Sequence, residues 1–417
     1  MTERAEKFLT GSQAAEFLGV KSATLYAYAS RGLVESIPSS KGRERCYRLS
    51  DLIKLRQSSR GFKSSKDTET AVWTGPVIKS SITEITSSGH SYRGTDAIAL
   101  ALEDKPFELV AELIWAGGGS QKSWSKLKPL PIPRQAKSMI LADIDQLDLL
   151  KFLLATLEIT EPRPRKLLAD DAIEAARQVV VTMATSLGIS EGRDKYISNG
   201  NYPIAETLLH ALSGNNSTER PQIMNRCLVL CADHELNASA FAARVAASCD
   251  SSLYSCLLSA LGTFTGSLHG SASKRAEDIV NGSLRYKTVK AWLKDYLSQF
   301  DRVPGFGSDL YEAGDPRARL LIETAQSISS PSKQLKRLVE IVEFVRDQLG
   351  KEPNLDVGLA AISYGLALPP GSGSAIFAVS RTAGWIAHAI EQRLYGGMIR
   401  PRARYIGKER GVSNTPR

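Results

Sequence analysis

The sequence predicts a mainly α-helical protein: a small winged helix-turn-helix head over residues 1–67, then a large helical body. Three observations point there. The first is the apolar period. From about Ala71 to Arg417 most apolar residues recur at i, i+3 and i+4, as in Phe107-Val110-Leu113-Ile114, Ile144-Leu147-Leu150-Leu154 and Leu338-Ile341-Val342-Val345. Alternation of period two is confined to a short stretch from Val72 to Ile85. The second is length, because a helical body of roughly 345 residues outgrows the core one lobe usually builds and argues for two. The third is where the charge falls. The 417 residues carry a net +9, and residues 1–67 hold 13 Lys/Arg against 7 Asp/Glu, so +6 of it sits in the head. A patch that local points to a polyanionic partner.

The head can be read element by element. Thr10 caps a helix over Ser12–Leu18 that stops at Gly19, and Val20-Lys21 makes the turn. Ser22 caps a second helix, Ala23 to Arg31, closed by Gly32. Apolar Ala14, Ala15, Phe17 and Leu18 are spaced to pack on Val20, Leu25 and Leu33. Two short helices about a glycine-bearing turn make a helix-turn-helix, whose second helix offers Lys21, Ser22, Thr24, Tyr26, Tyr28 and Arg31 to a groove or to phosphates. A hairpin follows, Val34–Ile37 and Arg43–Arg48 about Pro38–Gly42, with Arg43, Arg45 and Tyr47 on one face as a basic wing. Ser50 caps a closing helix from Asp51 to about Arg60, and a Ser-rich linker ends the module. Over about 50 residues the head resembles the winged DNA-binding heads of the MerR and excisionase type. A small module that docks on a protein surface is the competing reading.

At 42% hydrophobic and 23% charged, the chain has the composition of a globular protein rather than a disordered one. No run reaches the ~18 apolar residues a membrane span needs, so no membrane is expected. The first residues lack the apolar core of a signal peptide, and five cysteines without a CxxC pair suit a reducing compartment, so a cytoplasmic protein is expected. Cys227 and Cys231 lie one helical turn apart, but two thiols alone make a poor metal site, and no metal is expected.

Four constellations in the body carry candidate chemistry. They are Asp233-His234-Glu235-Leu236-Asn237-Ala238-Ser239, Gly266-Ser267-Leu268-His269-Gly270, Arg302-Val303-Pro304-Gly305-Phe306-Gly307-Ser308 with Asp315-Pro316-Arg317, and Pro353-Asn354-Leu355-Asp356 with Arg381 and Arg400 beyond it. His269 precedes a helix opening near Ala272, and a helix N-terminus disfavours imidazolium, so this ring stays neutral and can donate one N–H. Asp356, between Leu355 and Val357 at a loop-to-helix junction, gains pKa from burial and becomes a better base. Arg317, Arg381 and Arg400 are planar forks of the kind that clamp a dicarboxylate. Singly, each has a structural reading: a packed histidine, an N-cap aspartate, a solvated arginine. His388, in a smooth apolar helix, is read as packing.

Together and in this order, from about Trp73 to Gly407 and including Tyr92-Arg93-Gly94 and Ile399-Arg400-Pro401, these motifs resemble the citrate synthases. With its head, the chain is similar to the bacterial branch that joins a helix-turn-helix to such a domain. The resemblance implies a homodimer with a large lobe (68–262 and 368–417) and a small lobe (263–367) closing over oxaloacetate and acetyl-CoA or a related acyl-CoA. It implies that Asp356 removes the methyl proton and His269 stabilises the enol. His234, Arg317 and Arg381 bind oxaloacetate, with Arg400 reaching in from the other subunit. Arg302, Val303, Pro304, Gly305, Phe306, Gly307 and Asn354 lie against CoA, which is a substrate, and no separate cofactor is implied. One position departs. The family's loop reads Gly-Phe/Tyr-Gly-His, and its histidine polarises the oxaloacetate ketone and protonates the alkoxide; here the residue is Ser308. Two functions follow: an acyltransferase whose activity Ser308 impairs, or a DNA-binding regulator that senses a metabolite.

Overall fold

The computed structural model describes residues 8–18, 25–26, 28–29, 34–38, 45–48, 51–52 and 78–402, apart from short breaks at 121, 126, 162–166, 168–171, 198–201, 214–219, 268, 271, 309, 312 and 329–330. The chain divides into two compact units, 1–77 and 78–417.

In the head, Thr10 and Gln13 cap each other reciprocally at the start of the helix Gly11–Leu18. The Gln13 amide donates to Thr10 Oγ1 at 3.4 Å, and the Thr10 amide donates to Gln13 Oε1 at 3.1 Å. The expected hairpin forms: Ser36–Pro38 pairs antiparallel with Arg45–Arg48, Ile37 opposite Cys46. A third strand, Phe8–Thr10, joins the other edge of Arg45–Arg48. Three residues are too few to show a period, so only the pairing reveals it. The basic wing needs correction. Tyr47 is fully buried in a core with Ala14, Ala15, Leu25, Val34 and Leu52, because that face of the sheet lies on the helix. Arg45 is exposed at the strand end and its guanidinium donates to Ser36 O at 3.1 Å. Tyr26 is exposed, whereas Tyr28 packs partly buried on the same core. Lys21, Ser22, Thr24, Arg31 and Arg43, most of the second helix, and the closing helix beyond Leu52 lie outside the described residues.

Among the described residues the regular structure of the body is helical except for one small antiparallel sheet, Thr83–Thr86, Gly89–Tyr92 and Thr95–Asp96 in that order. The sequence periods resolve into Phe107–Trp115, Gln146–Thr160 and Lys333–Leu349. Ile144 falls outside its helix because Asp145 caps it, accepting the Leu147 amide at 2.9 Å. On Lys333–Leu349, Leu338, Ile341, Val342 and Val345 are all buried, Ser332 caps the start, and Gly350 at φ 59° ends it. One hydrophobic core runs from Ile82 to Ala389. At its centre lies Ser372–Tyr395, 24 residues long and buried over most of its length, against which Ala238–Ser248, Leu253–Phe264 and Arg220–Cys231 pack. The helices Ala272–Ser283, Pro316–Gln326, Lys333–Leu349 and Leu355–Gly365 pack largely on one another. Gly358 permits the closest of these contacts, since a Cβ there would lie 3.1 Å from Ala318 Cα.

Gly384 fixes how the central helix meets the loop after Cys231. Its amide donates to Ala232 O at 3.0 Å, and a Cβ would lie 2.2 Å from Asp233 Oδ1 and 2.7 Å from Ala232 O. The Gly384→Ala protein is therefore expected to lose about 1–3 kcal/mol of stability, the usual cost of overpacking, read as a lower urea midpoint at unchanged m-value.

Candidate active site

Five irregular or helix-end segments meet around the middle of the central helix. The first is the link between Arg220–Cys231 and Ala238–Ser248, where Glu235 adopts φ 56° and Asn237 caps the second helix through the Ala240 amide at 3.1 Å. This turn delivers Asp233 and His234. Asp233 is fully buried, and its Oδ2 accepts from Thr83 Oγ1 at 2.6 Å and from His388 Nε2 at 3.3 Å. Burial alone pushes this carboxyl up, but His388, Arg381 and the Thr83 hydrogen bond outweigh it and hold Asp233 below the usual range.

His388 is thus more than packing, which corrects the reading of a smooth apolar helix. Arg244 Nε donates to His388 Nδ1 at 3.1 Å, so the ring must carry its proton on Nε2, the atom that faces Asp233. Arg244 also pairs with Glu391, whose Oε1 accepts the Ser81 amide at 2.8 Å. The network lies on one face of a helix that is apolar all round, so no period betrays it.

Arg381, about two turns before His388, is buried with its Nε donating to Cys231 O at 2.8 Å and its guanidinium 4.7 Å from the Phe377 ring centroid. Its Nη2 has no hydrogen-bond partner among the described residues. A buried charged donor left so costs about 1–3 kcal/mol or more, which an anionic ligand would recover. Arg317 is buried too, but it is held by Asp315 (Nε to Oδ1 at 3.0 Å, Nη2 to Oδ2 at 2.7 Å), and Asp315 caps the helix Pro316–Gln326. Burial works against the Arg317 charge, and Asp315 more than compensates.

His234 Nε2 lies 2.8 Å from Tyr311 Oη, and its ring meets His90 edge-on at 5.2 Å. Burial, then Arg317, His90 and Arg381, keep His234 neutral well below its ordinary range. His269 Nε2 lies 2.8 Å from Ser239 Oγ, which also accepts from Trp385 Nε1 at 3.0 Å and lies 2.8 Å from Asn237 Oδ1. Ser239 has one proton for two acceptors. Given to His269 Nε2, it leaves the ring proton on Nδ1, free to donate outward. Burial and then Arg381 bring His269 down to about 4, so it is neutral as the sequence suggested, although burial rather than the helix opening at Ala272 leads. Gly270 is required beside it, because a Cβ there would fall 2.1 Å from the Phe264 ring, which stacks edge-on against His269.

Asp356 lies in the first turn of Leu355–Gly365, and desolvation pushes it up to about 7, with Arg275 and Arg317 opposing and Asp315 adding to the rise. Asn354 is the cap of that helix, its Oδ1 accepting the Asp356 amide at 3.0 Å. Two backbone bonds pin the loop 302–307 beside it: the Asn354 amide donates to Gly305 O at 2.8 Å and the Gly307 amide to Glu352 O at 2.8 Å. Gly305, at φ 86°, could not carry a Cβ, which would lie 2.7 Å from Val357 Cγ2. Arg302 is exposed, Val303 buried, and Pro304, Phe306 and Gly307 half-buried along this loop. Ser308 ends it as a turn cap, its Oγ accepting the amides of Leu310 at 3.2 Å and Tyr311 at 3.3 Å. Arg400 does not join the group: it is exposed, past a segment where the Ile399 amide donates to Ser248 Oγ at 3.1 Å. Among the described residues no three His, Cys, Asp or Glu side chains cluster as metal ligands, and no helix is long and apolar enough to cross a membrane.

The family model for the citrate synthase C-terminal domain matches residues 71–402. The chain belongs to the citrate synthase family. Citrate synthase 2 of Bacillus subtilis is 29% identical over 79% of this chain and 94% of its own length. The 2-methylcitrate synthase of Shewanella oneidensis is 29% identical over 86% and 97%. The citrate synthase of Haloferax volcanii is 35% identical over 58% of this chain and 66% of its own length. The crystal structure of citrate synthase from Thermotoga maritima, 25% identical, superposes with a TM-score of 0.66 over 80% of this chain and 94% of that one. That of Thermoplasma acidophilum, a ternary complex with carboxymethyl coenzyme A and oxaloacetate, shares the fold at a TM-score of 0.71 with 24% identity, over 80% and 95%. The family is one of transferases, and its match stops short of the head.

Of the residues singled out in the sequence, the structure brings His234, His269, Arg317, Asp356 and Arg381 into one electrostatically coupled group, and Ser308 reaches it only as the cap of the turn that carries Tyr311. It adds His90, Tyr311 and Arg275, which no quoted motif contained, and gives roles to Asp315 and Ser239, which the motifs contained without one. His90 lay two residues before the quoted Tyr92-Arg93-Gly94 and carried no signal of its own; its Nε2 reaches Tyr92 Oη at 3.0 Å. A 13C NMR titration of the Asp356 carboxyl is expected to show a midpoint near 7. In Arg275→Met the midpoint should move up, since removing a neighbouring positive charge favours the protonated acid.

Proposed function

We propose that the body condenses an acyl-CoA, acetyl-CoA or a close homologue, with oxaloacetate, and hydrolyses the adduct to the tricarboxylate and CoA. The observation that carries this is the buried, partly unpartnered Arg381 beside Arg317 and a neutral His234, a dicarboxylate clamp with a carboxyl poised near neutrality next to it. In this reading residues 263–367 form the small lobe, whose helices Ala272–Ser283, Pro316–Gln326, Lys333–Leu349 and Leu355–Gly365 pack largely on one another, and loop 302–307 and Asp356 ride on it. A groove of about 320 Å³ adjoins the loop at Pro304, and its Trp292, Tyr296, Arg275 and Arg285 suit the adenine nucleotide end of CoA.

In this reading Arg317 and Arg381 hold the oxaloacetate carboxylates, with the neutral His234 ring beside them. Asp356 takes a methyl proton from the thioester while His269 donates its Nδ1–H to the thioester oxygen, so charge developing on the enolate meets a donor rather than bulk water. The carbon attacks the ketone, and water then cleaves the thioester. A second chain completes the site with Arg400, in keeping with that residue's exposure here. The purified protein is expected to release CoA thiol with oxaloacetate and at least one short acyl-CoA, with kcat/KM rising as pH passes up through about 7 as Asp356 ionises. Asp356→Asn should lower kcat by about 10²–10⁴. No release above buffer with any acyl-CoA would sink the proposal.

The head supports a second role. Its exposed Arg45 and Tyr26, with the local +6, fit contact with nucleic acid phosphates, and a dimer would present two heads to a pseudo-palindromic site. Fluorescence anisotropy of the full chain with duplex DNA is expected to show affinity that falls steeply as salt rises; affinity indifferent to salt would exclude a phosphate-contacting head.

A further inference from the structure

Condensation creates an alkoxide on the former ketone carbon, and that oxygen needs a proton. Ser308 is poorly suited to give it. An alcohol is about as weak an acid as the tertiary alcohol being formed, so transfer has no driving force. Its oxygen is also committed as acceptor to the amides of Leu310 and Tyr311. That same cap has a second consequence: it tightens the turn that delivers Tyr311, 2% exposed, with its hydroxyl 2.8 Å from His234 Nε2 and its ring 6.0 Å from the Arg317 guanidinium. Beyond His234, no other side-chain partner of Tyr311 Oη is seen among the described residues.

Resting on the condensation reading above, we propose that Tyr311 is the proton donor to the new alkoxide, filling the chemical role that Ser308 cannot. His234 Nε2–H donates to the phenol oxygen, which leaves the phenol proton directed at the ketone held by the arginines. As the enolate carbon forms its bond to the ketone carbon, the C=O π pair moves to oxygen and that oxygen takes the proton from Tyr311 Oη. A phenol is more acidic than an alcohol, so the transfer runs downhill. The phenolate left behind is stabilised by the His234 N–H and by Arg317. One proton has then moved from the thioester methyl to Asp356 and one from Tyr311 to product; Asp356 returns its proton to water, and Tyr311 recovers one from water. Burial and Asp315 push the phenol up to about 12 against the pull of Arg317, so the donor is protonated throughout the working range.

The test compares wild type, Tyr311→Phe, Ser308→His and the double variant by CoA thiol release, with oxaloacetate and acetyl-CoA varied separately and folding checked by circular dichroism. Tyr311→Phe, which keeps the ring, is expected to lower kcat by about 10²–10⁴ with the oxaloacetate KM unchanged. Ser308→His should then restore much of the lost rate in the Tyr311→Phe background while adding little to wild type, because two acids serve one proton. Wild-type kcat in Tyr311→Phe, a loss confined to KM, or the same gain from Ser308→His in both backgrounds would overturn the assignment and leave the condensation standing. An inactive wild type would bring down both.

Discussion

Arg381 donates through Nε to the carbonyl of Cys231, and the chemistry of the body depends on that one anchor. It locks the middle of the central helix to the end of Arg220–Cys231. The next residues, Ala232 and Asp233, are thereby pressed against the helix at Gly384. Holding a guanidinium there is costly. The cost is offset by the Asp233 carboxylate, which His388 and Thr83 in turn hold ionised. Arg244 and Glu391 extend the same network to the strand region at Ser81. Charge is thus buried in a connected, hydrogen-bonded set, the condition under which it can be kept without collapse of the site.

The same burial divides the labour among the titratable groups. The site histidines His90, His234 and His269 are driven neutral and become donors or acceptors rather than cations, while Asp356 is driven up to where it can give and take a proton near neutrality. Arg317 stays charged because Asp315 is fixed beside it by its own capping role. Arg381 keeps an N–H without a partner among the described residues, as do Arg275 and Asn237. One sign of charge for the ligand and neutral groups for the protons is an arrangement that only differential burial can create from ordinary side chains.

Much of the site was legible because its residues fall at chain features with strong local grammar. His269 lies just ahead of the helix that opens at Ala272 and Asp356 lies at a loop-to-helix junction, both as expected from the chain. Asn354 turned out to cap Asp356's helix and pin the loop. The errors share a cause. Tyr47 alternates with Arg45 but is buried, because the helix Gly11–Leu18 covers that face. His388 repeats at the apolar spacing of its helix, yet both its nitrogens are hydrogen-bonded. Periodicity reports which face is covered, not by what. Phe8–Thr10 was missed because a three-residue strand exists only through its partner.

By itself, then, the sequence determined the helical class, the separate basic head, the family of the body and the set of polar residues placed at turns and caps, since all of these follow from local spacing and backbone preference. Only the tertiary structure decided which of those residues are dry, which are paired and which are left with an open hydrogen bond. Ser308 illustrates the limit. Its identity is plain in the chain, but its use as a turn cap that carries Tyr311 to His234 depends on the path of the backbone after Gly307 and on an interhelical link more than 70 residues upstream. Protonation and pairing are set by desolvation and by neighbours distant in sequence, and these come into being only when the core closes.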